Sequence, residues 1–144
     1  MIMLAATGGY AGYAPVVPGT FGTVVGLLPA FLLSLVGSCS ISSVLLVLFV
    51  LLSIRISDRA EQILGTVDPG CIVIDEIAGI MVTLWCLPFN WPTVLAGFVF
   101  FRCLDMIKPF PIRYVERRLS GGLGIVADDV VAGVAAHIVL RIVF

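Results

Sequence analysis

Residues 73–107 read VIDEIAGIMVTLWCLPFNWPTVLAGFVFFRCLDMI. Between Ile77 and Phe101 there is no charged side chain, so a hydropathy reading alone gives one long membrane helix. Pro88, Asn90 and Pro92 argue otherwise. A proline in a helix interior costs about 3 kcal/mol or more, and two of them around an asparagine describe a turn. The stretch therefore predicts a Pro-broken hairpin, with helices at roughly 73–87 and 92–107, each about 22 Å long. Trp85 and Trp91 suit an interfacial level near its tip. The choice decides more than a boundary. A single crossing would put Asp75 and Glu76 on one side of a bilayer and Arg102 and Asp105 on the other; a hairpin returns all four to the same side.

Working outward, the chain is 144 residues long, 60% hydrophobic and 12% charged. Soluble domains carry about 25% charged residues, so the composition is that of a membrane protein in a single domain, 1–144. No Asp, Glu, Lys or Arg precedes Arg55, a pattern that does not suit a secretory signal with its positively charged start. Residues 1–20, rich in Gly and Pro, read as a lead-in loop or short broken helices. Residues 21–37 form a first apolar helix containing Pro29, with Gly22 and Gly26 spaced for close helix contact. Residues 41–54 form a second, able to run on past Arg55 as an amphipathic helix. After the polar segment 109–123, expected to hold one helical turn, a last helix runs from about 125 to 143 and begins with Asp128 and Asp129. The expected fold is all-α: a small multi-helical membrane protein with about four to five apolar helices.

Five carboxylates stand where apolar sequence disfavours them: Asp75, Glu76, Asp105, Asp128 and Asp129. An ionisable group in a membrane helix costs roughly 2.5–3.5 kcal/mol on insertion scales, so each needs a partner or a function. Two adjacent acid pairs also repel each other unless a cation or protons neutralise them. Oxygen-only ligation with a single histidine in the chain selects a hard cation, Mg²⁺ or Mn²⁺, over zinc. Arg102, Asp105 and Lys108 recur every three residues before Pro109 and can hold an anion beside that cation. Taken singly, each group has a plainer reading: a solvated loop end for Asp75 and Glu76, a helix-end ion-pair cluster for Arg102 to Lys108, and a helix start for Asp128 and Asp129. Their combination points to metal-assisted chemistry on a phosphate at a membrane surface.

Gly19 and Thr20, in the run Gly-Thr-Phe-Gly-Thr, could present backbone N–H groups to the same phosphate, or simply start a helix. His137 lies two helical turns beyond Asp129 and reads as a core or interface residue. With one histidine, a two-histidine phosphatase mechanism is excluded. The four cysteines form no C-x-x-C pair and read as small buried hydrophobes, ahead of zinc binding or a disulfide framework. None is followed five residues later by arginine, which removes the cysteine-phosphatase cradle. The near-neutral chain has no basic field for nucleic acid.

Four segments together, APVVPGTFGT (14–23), IVIDEIAG (72–79), FRCLDMIKPFPI (101–112) and GGLGIVADDVVAG (121–133), resemble the phosphatidylglycerophosphatase A family of bacterial membrane lipid phosphatases. The resemblance covers nearly the whole chain in order. It implies a magnesium-dependent phosphoric monoester hydrolase that removes the terminal phosphate of phosphatidylglycerophosphate, leaving phosphatidylglycerol and inorganic phosphate. It also implies metal-binding roles for Asp75, Glu76, Asp105, Asp128 and Asp129, catalytic roles within that set for Asp105, Asp128 and Asp129, and phosphate contacts for Arg102 and Lys108. Only Ala127, where a larger hydrophobe is expected, departs from the pattern.

Segment 102–118 holds five basic residues against Asp105 and Glu116, a net +3. Basic loops face the cytoplasm, which predicts chemistry at the inner leaflet of the bacterial cytoplasmic membrane on a phospholipid substrate. The general base is expected at Asp128 or Asp129. The sequence leaves the oligomeric state open. The rival reading is a small ion-coupled transporter or channel subunit that uses the same intramembrane acids.

Overall fold

The structure is a computed structural model describing residues 1–144, and it is entirely helical. A short helix α1 (Ile2–Ala6) and a 3₁₀ turn (Ala11–Tyr13) lead into α2 (Pro18–Ser34). There follow α3 (Cys39–Leu64), α4 (Ile74–Leu84), α5 (Trp91–Ile107), α6 (Ile112–Arg118) and α7 (Gly121–Val143). The expected hairpin is α4 and α5. Asn90 caps α5 by accepting the Thr93 N–H at 3.0 Å, and Pro92 occupies its first turn, where no backbone donor is lost.

Helices α3 and α7 are long and apolar enough to cross a bilayer; α2 is shorter, and α4, at 11 residues or about 16 Å, is too short to span. α4 is instead the buried centre. It lies mainly against α7 and α2, and nearly every residue from Ile77 to Leu84 is sequestered from the surface. Glycines set the spacing. Gly22 and Gly26 face Val73, Ile77 and Ile80, which brings α2 onto α4 as the G-x-x-x-G spacing predicted. A Cβ at Gly79 would collide with the fully buried Phe101, and one at Gly133 would meet the Gly79 carbonyl oxygen. The outward faces of α2 and α3 are apolar and exposed: Phe21, Val24, Leu28 and Leu32 on one, Val44, Leu48, Leu51 and Leu52 on the other. Such surfaces have no place in water at this density and mark the lipid contact.

Two expectations are corrected. α7 begins at Gly121, about one turn earlier than predicted, so Asp128 and Asp129 sit two turns inside it and not at its start. The helix passes Gly122 and Gly124 because each is pressed against neighbouring backbone, at Ile54 and Leu119, where a side chain would not fit. The cysteines are not all small hydrophobes either: Cys39 and Cys86 form a disulfide, their Cα atoms 5.9 Å apart. That bond ties the start of α3 to the turn of the hairpin. Cys71 and Cys103 are free.

Candidate active site

The alternation of α2, α3, α4, α5 and α7 gathers their polar ends at one end of the bundle, around a cavity of about 500 Å³. Asp75 and Glu76 enter it from the first turn of α4, Arg102 and Asp105 from the last turns of α5, Lys108 from the residue that caps α5, and Asp128 and Asp129 from α7. Gly19 lines it from the start of α2, where a Cβ would collide with Glu76 Oε1 and lie 3.2 Å from Arg102 Nη2. Glycine is needed there for close approach. Thr20 is the exception: its side chain does not line the cavity, and its N–H donates to the Val17 carbonyl at 3.0 Å. Its predicted phosphate contact has no support in the geometry, because the helix turns it away from the cavity. Three non-glycine residues at positive φ, Val17, Asp68 and Lys108, also border the cavity, a concentration of backbone strain typical of functional sites.

Two of the acids are taken up by cations. Arg102 donates to Asp105, with Glu76 4.0 Å away. Lys108 bridges Asp128 at 2.7 Å and Glu116 at 2.8 Å, and the other Asp128 oxygen accepts the Asp129 N–H at 3.1 Å. Three acids are left without cations of their own. One carboxylate oxygen each from Asp75, Glu76 and Asp129 lies within 4.8 Å of the other two. Asp75 Oδ1, Glu76 Oε2 and Asp129 Oδ2 are buried and accept no hydrogen bond, and Arg102 Nε donates none. A buried polar group left unmatched costs about 1–3 kcal/mol, more when charged. Three carboxylates converging from two helices, each with a buried oxygen left unmatched, make a donor set suited to a small hard cation. Asp105 lines the same cavity beside this trio, paired with the Arg102 that also approaches Glu76.

The electrostatics follow. Burial pushes the Asp75 carboxyl well above the ordinary carboxylate range, and repulsion from Glu76 adds to it. Burial likewise raises Glu76, against the opposing pull of Arg102. For Lys108, burial alone would lower the ammonium's proton affinity, but the hydrogen bonds and charges of Asp128 and Glu116 outweigh it and leave the group firmly cationic.

The structure thus brings together every predicted acid, both predicted cations and Gly19. Sequence reasoning missed Glu116, which holds Lys108 from the far side, and Glu61 and Asp68, which border the cavity from the last turn of α3 and from the α3–α4 connection. No periodicity links Lys108 to Glu116 across the Pro-Phe-Pro loop, so only the folded chain shows that contact. His137 lies away from the acids, its Nδ1 3.1 Å from the Thr83 carbonyl oxygen, as an interface residue should.

Residues 4–144 match the family model for phosphatidylglycerophosphatase A. The chain is 41% identical over 132 residues to phosphatidylglycerophosphatase A of Escherichia coli (strain K12), covering 91% of this chain and 76% of that protein. It is 39% identical over 141 residues to the protein of that name from Haemophilus influenzae, covering 96% and 86%. A putative phosphatidylinositol-3-phosphatase of Bacteroides thetaiotaomicron is 33% identical over 148 residues, with 97% and 91% covered. No solved structure matches the chain significantly. With a family model spanning nearly all of its length and two relatives near 40% identity, this chain belongs to the phosphatidylglycerophosphatase A family.

Proposed function

We propose that the protein removes the terminal phosphate of phosphatidylglycerophosphate, with Mg²⁺ held by Asp75, Glu76 and Asp129, at the cytoplasmic leaflet of the bacterial inner membrane. Family membership makes it a phosphoric monoester hydrolase associated with lipid and displaces the transporter reading. The observation that carries the metal assignment is the convergence of Asp75, Glu76 and Asp129, each with a buried unpartnered oxygen, beside two cations with donors to spare. When bound, Mg²⁺ would neutralise phosphate charge and lower the pKa of a bound water.

The chain's own residues divide the remaining work. Arg102 keeps its Nε free while it donates to Asp105, and that free donor is available to a non-bridging phosphate oxygen. Lys108 spends two of its three donors on Asp128 and Glu116 and keeps one for the phosphate. Its persistent positive charge offsets the charge that builds on the ester oxygen as the P–O bond breaks. Asp128 has both oxygens engaged, so it positions Lys108, and the proposal moves the base away from it. Asp105, adjoining the trio without belonging to it, is assigned the proton of the attacking water.

Orientation rests on two independent features. Seven of the eight basic residues lie at the acid end; Arg141, bonded to the Cys86 carbonyl, is alone at the other. The Cys39–Cys86 disulfide also sits at that other end, and disulfides persist on the oxidising side of a bacterial membrane. The third relative's printed activity supports a second substrate, a phosphoinositide. Both lipids carry a phosphomonoester on a headgroup that a phosphodiester joins to diacylglycerol.

The test is phosphate release by purified protein in neutral detergent micelles, with and without a chelator. Turnover that needs added Mg²⁺ and disappears in Asp129→Asn supports the proposal. Full turnover in chelator, or in Asp129→Asn, overturns it.

A further inference from the structure

Beside the acid cavity lies a second recess, of about 490 Å³, formed where α6 folds back under the end of α5. Ile107, Phe110, Tyr114, Arg113 and Arg117 line it, and Lys108 lines both it and the acid cavity. The two spaces are therefore adjacent, with a single lysine side chain on their shared wall.

The character of this recess differs from that of the acid cavity. It borders no carboxylate. Arg113 and Arg117 make no ion pair with any acid of the chain, whereas Arg102 and Lys108 both do. The adjacent Arg118 is turned aside, its guanidinium over the Tyr114 ring at 5.1 Å. Around these arginines the surface is apolar and open: Met106, Ile107 and Phe110 are each at least 66% exposed. An arginine pair without counter-ions, above exposed aliphatic and aromatic side chains, suits a phosphate at the junction between headgroup and acyl chains.

We infer that Arg113 and Arg117 bind the internal phosphodiester of the lipid whose terminal phosphomonoester occupies the acid cavity. The inference rests on the proposed reaction and names what selects its substrate. Lys108 lines both spaces, its ammonium held from the acid-cavity side by Asp128 and Glu116. The two phosphates would then sit on either side of Lys108, one glycerol unit apart, with the acyl chains leaving over Phe110 and Ile107 into the bilayer. A lipid with only one phosphate, such as phosphatidic acid, can fill the acid cavity or the arginine recess but not both. Arg113 and Arg117 are binding residues here and touch no reacting atom.

The experiment compares kcat/KM for phosphatidylglycerophosphate and phosphatidic acid in the same neutral micelles, for the wild type and Arg113→Gln/Arg117→Gln. Charge-assisted hydrogen bonds contribute about 1.5–3 kcal/mol each, so losing the diester contact costs about tenfold or more. The expected result is a collapse of the preference between the two lipids by about tenfold or more. It should arise from a raised KM for the diphosphorylated lipid with kcat within about twofold, and Arg113→Lys/Arg117→Lys should recover part of it. An equal fall for both lipids marks general surface attraction and overturns the inference, as does an unchanged preference. A variant that stays magnesium-dependent while keeping its preference sinks this inference alone; activity that ignores Mg²⁺ in the wild type sinks the reaction on which it rests.

Discussion

Asp128 and Asp129 are neighbours in sequence and part company in structure. One is held by Lys108 and by a backbone N–H; the other clusters with Asp75 and Glu76 and keeps a buried oxygen without a partner. Their variants should therefore fail differently. Asp129→Asn would take a charge from the proposed cation site, and turnover should fall by at least about a hundredfold together with a rise in the Mg²⁺ concentration needed for half-activity. Asp128→Asn frees Lys108 while leaving the trio, so it should raise KM with little change in the Mg²⁺ requirement. Asp105→Asn should lower kcat by about a hundredfold or more at unchanged Mg²⁺ affinity, as loss of a proton acceptor does. Steady-state kinetics at varied Mg²⁺ separates the three. Asp75 and Glu76 also set a pH dependence. Their proton affinities are raised in the folded state, so the metal-free protein has its full share of stability below the unfolded carboxylate pKa values and loses it as pH rises through the raised ones. Thermal unfolding in detergent with chelator should show a Tm falling from mildly acidic toward neutral pH, and saturating Mg²⁺ should flatten that slope.

At the scale of the element, the contact between α4 and its neighbours depends on absent side chains. Gly79 meets the Phe101 ring, and no flexible group is there to yield. Gly79→Ala should destabilise by about 1–3 kcal/mol, the usual cost of overpacking, and should also shift Asp129, whose carbonyl oxygen is 3.0 Å from the added methyl. Lower Tm together with weaker Mg²⁺ activation is the expected pair of results. The hairpin itself was legible because Pro88, Asn90 and Pro92 speak through local sterics, which act wherever the segment lies. That inference carried most of the site with it, since it alone decides whether Glu76 and Arg102 can meet. The start of α7 was not legible. Ser120, Gly121 and Gly122 have the local signature of a loop, and only contact with Ile54 and Asp58 of α3 shows why small residues are needed in a helix there. The Cys39–Cys86 bond and the Lys108–Glu116 contact were hidden for the same reason: both join segments that no spacing rule connects.

For the whole molecule, the separation of ends is the organising fact. Acids, cavity and all but one basic residue occupy one end, with the disulfide, Trp91 and Arg141 at the other, and apolar faces in between. Labelling of single cysteines from outside intact cells should therefore miss a probe at Arg117 and reach one at Trp91. Reversal of that pattern would place the chemistry on the outer leaflet. The central claim is that negative groups from α4 and α7 form one cation site. Mn²⁺ binding to the purified protein, followed by electron paramagnetic resonance, tests it without reference to turnover. The account predicts a saturable site that is lost in Asp75→Asn and in Asp129→Asn, and kept in Asp58→Asn, an acid at the same end that does not line the cavity. Equal binding by the wild type and Asp129→Asn would contradict it.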